Sequence, residues 1–375
     1  MRFLISAGEA SGELYGAQLI EALRRRLPDA EFFGAGGERM RAAGCDTVVD
    51  SARLSVVGIS EIVSHLPRIY GDFRRLVRAA DERKPDAAIV IDSPAFNFRV
   101  AREMRRGGVP VIYYVCPQLW AWRERRVERF HKWVKKALVI FPFEEQWYRE
   151  RGVDAEYVGH PLAERPPPQA NRARYASEHG LDPSQVWIGL LPGSRKKEVQ
   201  MNLPALLEAC ESLRDRGQFL LPVASTLNRA WIESLIPAGR ARIHLVGQAS
   251  DALPHLRAAA VASGTATVEA ALAGTPMVVV YRVSPLTWRL GRGLLRVPFI
   301  AMPNLIAGQE VVPELVQSDF TAQTVAARIE QIVPDGPARE KMLAGLAEVS
   351  SRLRSPGASG TPSERAAEAV LRTLA

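Results

Sequence analysis

Two strand ends, an arginine turn and a run of small residues carry the side chains best suited to chemistry in this sequence. Residues 261–282, VASGTATVEAALAGTPMVVVYR, open with a short apolar run that ends in Ser263-Gly264-Thr265-Ala266-Thr267. A helical pattern follows through Val268, Ala271 and Leu272, then Gly274 and Pro276 stop it, and 277–281 reads as a buried strand. Small side chains at such a turn let a ligand approach the backbone. The helix start presents unpaired N–H groups at a positive dipole end, where a phosphate or diphosphate fits. Glu269 lies in the first turns of that helix, where its carboxylate can accept hydrogen bonds from sugar hydroxyls. An ordinary αβ connection, with Glu269 complementing the helix dipole, gives the same pattern.

Pro192-Gly193-Ser194-Arg195 follows the apolar run 186–191 and precedes a helix. An arginine at a strand-to-helix turn can fork onto a diphosphate. Asp92 ends the apolar run 85–92, and Ser93-Pro94-Ala95-Phe96-Asn97 leads from it into a helix. Ligands in open α/β sheets bind beyond the carboxyl ends of strands, which places Asp92 well for chemistry. A helix N-cap is the other use of an aspartate there. Near the start, Gly8-Glu9-Ala10-Ser11-Gly12-Glu13 follows the strand 2–7 and precedes the helical run 14–27. It is not the GxGxxG dinucleotide fingerprint. Its two glutamates make it a poor phosphate cradle and suit hydroxyl recognition or a helix start.

The frame that must hold these residues is a repeated strand–helix alternation. Short strand-like pieces at 31–37, 47–50, 109–116 and 137–141 join those above, and Gly159-His160-Pro161-Leu162 closes a first half. Arg165-Pro166-Pro167-Pro168-Gln169 is a linker, since three prolines cannot join a helix or a central strand. A second series follows at 186–191, 219–224, 242–246, 259–262 and 277–281. The expected domains are therefore 1–165 and 172–345, with 346–375 as a C-terminal segment. Within it Thr361-Pro362-Ser363-Glu364 has N-cap, N1 proline and capping-box glutamate in order. The breaker-rich 355–362 lets the last helix return to the first domain or reach a second protomer, so a homodimer enters as an expectation.

Residues 56–77 place Val56, Ile59, Ile62, Val63, Leu66, Ile69, Tyr70, Phe73 and Leu76 at helical spacing, with Arg68, Arg74, Arg75 and Arg78 gathered in and just past the second half. This reads as one amphipathic helix or as a pair broken at Pro67. A basic amphipathic segment suits an anionic membrane surface; packing on its own domain is the other reading. Positions 123–136 hold seven Lys/Arg against two Glu, with Trp120, Trp122, Trp133 and Trp147 in or near the run. Aromatics beside cations suit a membrane interface or single-stranded nucleic acid, and equally a solvated helix packed through its tryptophans.

Over 375 residues, 47% hydrophobic and 24% charged content fits a soluble enzyme of two domains. The net charge of +8 favours anionic partners. No apolar run approaches the roughly 20 residues of a membrane span, and MRFLISAGEASGE lacks a secretory pattern, so a cytoplasmic protein is expected. Cys45, Cys116 and Cys210 lie far apart, which predicts reduced buried thiols.

Eight stretches sharpen this reading: SAGEASGE, VVGISEIV, VIDSPAFNFRVA, YYVCPQLWAWRERRV, GHPL, LLPGSRKKEV, ASGTATVEAALAGTPMVVVYR and MPNLIAGQEVVPELVQ. Together, and in this order from residue 6 to residue 317, the chain resembles the lipid-A-disaccharide synthase family. Cys116 and Gln118 stand where that family often has Ser. The resemblance implies an α/β fold of two Rossmann-like domains, the GT-B architecture, with a cleft between them. It implies transfer of 2,3-diacylglucosamine from a UDP-linked donor to the 6-hydroxyl of 2,3-diacylglucosamine 1-phosphate, with inversion to a β-1′,6 linkage and release of UDP. One displacement needs one base and help for the departing diphosphate. The sequence has no Asp-x-Asp metal motif, and neither a metal nor another cofactor is expected.

By the family pattern Asp92 is the candidate base and Glu9 faces the cleft. Arg195 with the turn Ser263, Gly264, Thr265 and Thr267 holds the diphosphate. Glu269 holds the ribose, and Asn304 with Gln309 or Glu310 lines the nucleotide side. Acylated substrates also shift the reading of 56–77 toward a lipid-facing role for Val56, Ile59, Ile62, Val63, Leu66 and Arg68, at the inner-membrane surface, with the Trp run as a second anchor. No nucleic-acid partner is expected. A nucleotide-sugar 2-epimerase of the same architecture is the alternative.

Overall fold

The computed structural model describes residues 1–8, 10–51, 59–122, 124–164, 171–237, 243–291, 293, 296–354 and 359–375, with the backbone alone at 10, 59–66, 286 and 290. The chain forms two compact units, one from Met1–Glu164 with Leu353–Ala375 and one from Arg165–Arg352.

The first unit holds β1 (Arg2–Ala7), β2 (Glu31–Gly36), β3 (Cys45–Asp50), β4 (Ala87–Ile91), β5 (Val111–Tyr114), β6 (Lys136–Val139) and β7 (Ala155–Tyr157). They make one sheet in the order β3-β2-β1-β4-β5-β6-β7, parallel throughout. All of AAIVI in β4 and VIYY in β5 is buried, as expected of central parallel strands covered on both faces. One core lies where Leu4, Val90, Tyr113 and Val139 meet Phe73, Leu76, Phe98 and Met104 from the helices Ile59–Arg83 and Pro94–Arg106.

The helix Ile59–Arg83 runs unbroken through Pro67, which decides against a helix pair. A proline removes one backbone bond and can kink a helix without ending it, and the buried stripe Phe73, Leu76, Ala79 and Ala80 keeps the later turns packed. The first helix, Ala10–Arg26, begins earlier than its apolar pattern. Glu13 is thus helical, and its carboxylate accepts from Arg39 N at 2.7 Å, completing the start of the short helix Glu38–Ala42.

The last helix, Pro362–Leu374, is capped reciprocally: Thr361 N donates to Glu364 Oε2 at 2.9 Å and Glu364 N to Thr361 Oγ1 at 3.3 Å. It packs on the first unit through Ala366, Ala367, Ala369 and Val370. Arg365 Nε donates to Val158 O at 3.0 Å and Lys135 Nζ to Thr373 O at 2.7 Å. Glu364 pairs with Arg25 of the first helix at 3.1 Å.

The second unit holds β8 (Trp187–Leu191), β9 (Gln218–Pro222), β10 (Ile243–Val246), β11 (Ala258–Ala262), β12 (Met277–Tyr281) and β13 (Glu314–Val316). Their order is β10-β9-β8-β11-β12-β13, again parallel. Each sheet therefore reverses its strand order once, between β1 and β4 in the first unit and between β8 and β11 in the second. Ligands of open parallel sheets bind at the carboxyl ends of such reversal strands.

Candidate active-site turns

In the first unit Ala7 of β1 pairs with Ile91 of β4, so the turns that follow these strands are neighbours. One turn begins with Gly8 and the other is Asp92-Ser93. Asp92 is half-buried. Asp92 and Ser93 have φ of 48° and 44°, two successive left-handed residues that both carry side chains. Ser93 occupies the N-cap position of the helix Pro94–Arg106 and makes no side-chain cap bond. The N-cap alternative for Asp92 thus falls, because Asp92 stands one residue outside the cap. Its backbone carbonyl accepts from Asn97 Nδ2 at 2.9 Å and from Tyr113 Oη at 2.7 Å. Neither partner is marked in the sequence, since both read as ordinary positions of a helix and a strand. Glu9 lies outside the described residues.

Elsewhere in the first unit two buried titratable groups flank Phe141. Glu144 accepts from Trp120 Nε1 at 2.9 Å, Phe141 N at 3.1 Å and Ile140 N at 3.3 Å. Burial pushes its carboxyl up to about 7 against these three donors. His160, whose ring lies 5.2 Å from that of Phe141, is held down to about 3 by burial. The aromatic run is packed inward: Trp120 is buried and edge-on to Phe143 at 4.9 Å, Trp133 meets Phe98 at 6.2 Å, and Arg151 covers Trp147 at 4.1 Å. Trp122 is exposed. Trp120 is thus enclosed by its own unit, whereas Trp133 and Trp147 are half-buried.

On the helix Ile59–Arg83, Arg68, Arg74, Arg75 and Arg78 are exposed, as is Tyr70. Val56 lies outside the described residues, and so do the side chains of Ile59, Ile62, Val63 and Leu66. No described helix is long and apolar enough to cross a membrane. The cysteines Cys45, Cys116 and Cys210 are free and buried.

In the second unit Leu191 of β8 pairs with Val261 of β11, which sets the Arg195 turn beside the Ser263 turn. Arg195 is the N-cap residue of the helix Lys196–Ser212, and its exposed guanidinium donates to Glu198 Oε1 at 2.8 Å. Glu198 Oε2 accepts from Ser194 N at 3.0 Å and Arg195 N at 3.3 Å. One carboxylate thus closes the turn and orients the arginine, a role that the capping spacing Arg195–Glu198 could have signalled.

Ser263 N donates to Val280 O at 2.9 Å and Ser263 Oγ to Ile300 O at 3.1 Å. Gly264, with φ of 144°, has open space where a side chain would stand. The helix Thr265–Leu272 starts there without a side-chain cap, which suits an anion. Gly264 and Thr265 are exposed, Glu269 is half-buried, and Thr267 Oγ1 turns inward to Gly264 O at 2.7 Å. Thr267 therefore shapes the turn with its hydroxyl rather than presenting it.

Asn304 is fully buried in the helix Met302–Ala307. Its Nδ2 donates to Val312 O and Glu314 Oε1, each at 2.8 Å, and its Oδ1 accepts from Val311 N at 2.7 Å and Val312 N at 2.9 Å. The amide is thereby engaged on every side by its own chain. The expectation that it lines the nucleotide side is corrected to a brace for the segment carrying Gln309 and Glu310, both exposed. Glu314 completes the brace by accepting from Ile300 N at 2.8 Å and Ala301 N at 2.9 Å. Sequence patterning gave no sign of it.

Comparison with known proteins matches this sequence to a family. The family model for lipid-A-disaccharide synthetase matches residues 3–355. A lipid-A-disaccharide synthase of Koribacter versatilis is 55% identical over 99% of this chain and 98% of its own length. One of Acidobacterium capsulatum is 49% identical over 95% and 92%. Among solved structures, a UDP-GlcNAc 2-epimerase from Neisseria meningitidis aligns with a TM-score of 0.69 over 99% of this chain and 100% of that one, at 13% identity. The glycotransferase of kitacinnamycin aligns with a TM-score of 0.67 over 100% and 99%, at 17% identity. These likenesses show the shared two-sheet GT-B fold, and the epimerase is related to this chain at that level alone. With the sequence relatives matching across nearly their full length, the chain belongs to the lipid-A-disaccharide synthase family of glycosyltransferases.

Proposed function

We propose that this enzyme joins two acylated glucosamines at the cytoplasmic surface of the inner membrane. It transfers 2,3-diacylglucosamine from its UDP-linked donor to the 6-hydroxyl of 2,3-diacylglucosamine 1-phosphate. The observation that carries the reading is the placement of the candidate residues: Asp92, Arg195 and the Ser263 turn all follow strands at which a sheet reverses its order.

Asp92 is the base. It takes the proton of the 6-hydroxyl while that oxygen attacks C1 of the donor from the face opposite the diphosphate. The C1–O bond to UDP breaks, its electron pair leaves with the diphosphate, and the anomeric centre inverts. Arg195 and the uncapped helix start at Gly264 and Thr265 stabilise the leaving charge, as preorganised donors do best when aimed at charge that develops in the transition state. Ser263 and Thr267 shape that turn. Glu269 takes the ribose hydroxyls, and Gln309 and Glu310 line the nucleotide side. Glu9 serves the acceptor side with Asp92. Val56, Ile59, Ile62, Val63 and Leu66 meet the acyl chains or the bilayer, while Arg68 meets anionic headgroups.

Product analysis with both lipid substrates tests the reaction: a β-1′,6 disaccharide phosphate and one UDP per turnover are expected. Conversion of the UDP-sugar without acceptor would instead mark an epimerase. Asp92→Asn tests the base, with turnover expected to fall by about 10²–10⁴ while UDP binding persists. For the lipid face, serine at Val56, Ile59 and Val63 together should weaken binding to anionic vesicles and leave UDP affinity intact.

A further inference from the structure

We propose that Asn97 and Tyr113 are positioning residues of the transfer, which hold the backbone of Asp92 in the conformation that directs its carboxylate to the acceptor hydroxyl. This rests on the reading of Asp92 as the base.

Left-handed backbone is disfavoured for any residue with a Cβ, and here two such residues follow one another, Asp92 at φ 48° and Ser93 at φ 44°. An outlier of this kind persists only where its surroundings over-determine it. The fully buried Asn97 supplies most of the constraint. Its Nδ2 faces three carbonyl oxygens, those of Ile91 at 2.8 Å, Asp92 at 2.9 Å and Ser6 at 3.2 Å. Its Oδ1 accepts from Ser6 Oγ at 2.7 Å. Three acceptors on one side and a hydroxyl on the other leave a single orientation for the amide. From β5, Tyr113 Oη adds a second donor to the Asp92 carbonyl at 2.7 Å, and Asp92 N donates to Tyr114 O at 3.2 Å.

The turn is thus tied to β1, to β5 and to its own helix: three of these bonds engage the main chain of Asp92, and those to Ser6 and Ile91 fix the Asn97 amide that makes one of them. A buried amide is costly wherever it is not fully paired, and an ordinary strand-to-helix turn needs none. Such a site is explained by a need to fix the direction of the side chain that the turn carries. A displacement of about 1 Å at a reacting group is enough to cost roughly a hundredfold in rate.

The test compares Asn97→Ala and Tyr113→Phe, each alone and combined with Asp92→Asn, by kcat, acceptor KM, UDP affinity and melting temperature. Asn97→Ala should lower kcat by about 10–100-fold and Tyr113→Phe by about 3–10-fold, with KM and UDP affinity within about twofold. In the Asp92→Asn background each should change the residual rate by less than about twofold, because no base is left to position. Tyr113→Phe keeps its ring in the core and carries the test if Asn97→Ala does not fold. Lower melting temperature with unchanged kcat in the folded fraction overturns the proposal, as do losses that multiply fully with Asp92→Asn. Near-normal turnover of Asp92→Asn by itself removes the base assignment, a separate outcome.

Discussion

Gly8 and Ser93 approach so closely that a side-chain carbon on the glycine would begin 2.5 Å from Ser93 Oγ and 2.8 Å from Ser93 Cβ. The turns after β1 and β4 are therefore fitted to one another. Gly8→Ala should cost about 1–3 kcal/mol through overpacking and lower turnover by more than the loss of folded protein explains. Ser93→Gly in that variant returns the space and suits the left-handed backbone, so the double variant should regain turnover. Denaturant titrations paired with initial rates check this, and wild-type turnover in Gly8→Ala would mean that the two turns do not constrain the chemistry.

Arg195 offers a clean separation of stability from activity. Its ion pair with Glu198 is exposed, and such pairs contribute little to stability. Arg195→Ala should melt close to the parent yet turn over about 10²–10³-fold more slowly. Lysine should rescue only in part, because it lacks the planar fork. Turnover within a few-fold of the parent in Arg195→Ala would remove this residue from the leaving-group site.

Asn304→Ala should act at a distance from the ligand. It strands the N–H groups of Val311 and Val312 and one lone pair of Glu314, at a cost of about 1–3 kcal/mol. UDP affinity should fall with it as the segment bearing Gln309 and Glu310 loosens. Calorimetric UDP binding at a temperature where the variant is folded measures the second effect. A drop in stability with unaltered affinity would show that this segment does not touch the nucleotide.

Glu144 and His160 give folding two opposed pH responses. The Glu144 carboxyl rises from 4.5 to about 7 on folding, so the folded state holds the extra proton between those values. Stability from this group is greatest below pH 4.5 and falls until pH 7, by about 3 kcal/mol. His160 drops from 6.5 to about 3, so the unfolded state holds the extra proton. Its contribution is complete above pH 6.5 and is lost toward pH 3, by about 5 kcal/mol. The two largely offset each other between pH 4.5 and 6.5. Relative to the parent, Glu144→Gln should gain about 3 kcal/mol between pH 4.5 and pH 8, and His160→Gln should move acid unfolding to lower pH. Parallel stability curves for parent and variant would refute the assignment in either case.

The sequence made legible whatever depended on local pattern. Central strands such as 277–281 are apolar on both faces, and Asp92, Arg195 and Ser263 stand where those runs stop. Thr361 and Glu364 announce their cap by spacing. What stayed hidden depends on contacts between distant positions. Asn97 reads as one more residue of a helix until Ser6, 91 positions away, is seen beside it. The strands Ala155–Tyr157 and Glu314–Val316 are three residues each, too short to show a period. Asn304 reads as a polar residue among others, and its inward orientation becomes visible only with Glu314 in place. The tryptophans near 123–136 match an interfacial pattern in type and spacing, yet Trp120 is buried and Trp122 exposed, a difference that no local pattern encodes.

The last helix, Pro362–Leu374, completes the unit that the first residues begin. Synthesis and completion consequently run in opposite orders. Residues 165–352 form a contiguous unit that can close soon after it leaves the ribosome. The earlier unit keeps one side of the helix Ala10–Arg26 uncovered until the helix Pro362–Leu374 emerges, about 200 residues after Glu164 and so roughly ten to forty seconds at ordinary translation rates. Throughout that interval the nascent chain offers chaperones an apolar surface that the finished enzyme does not have.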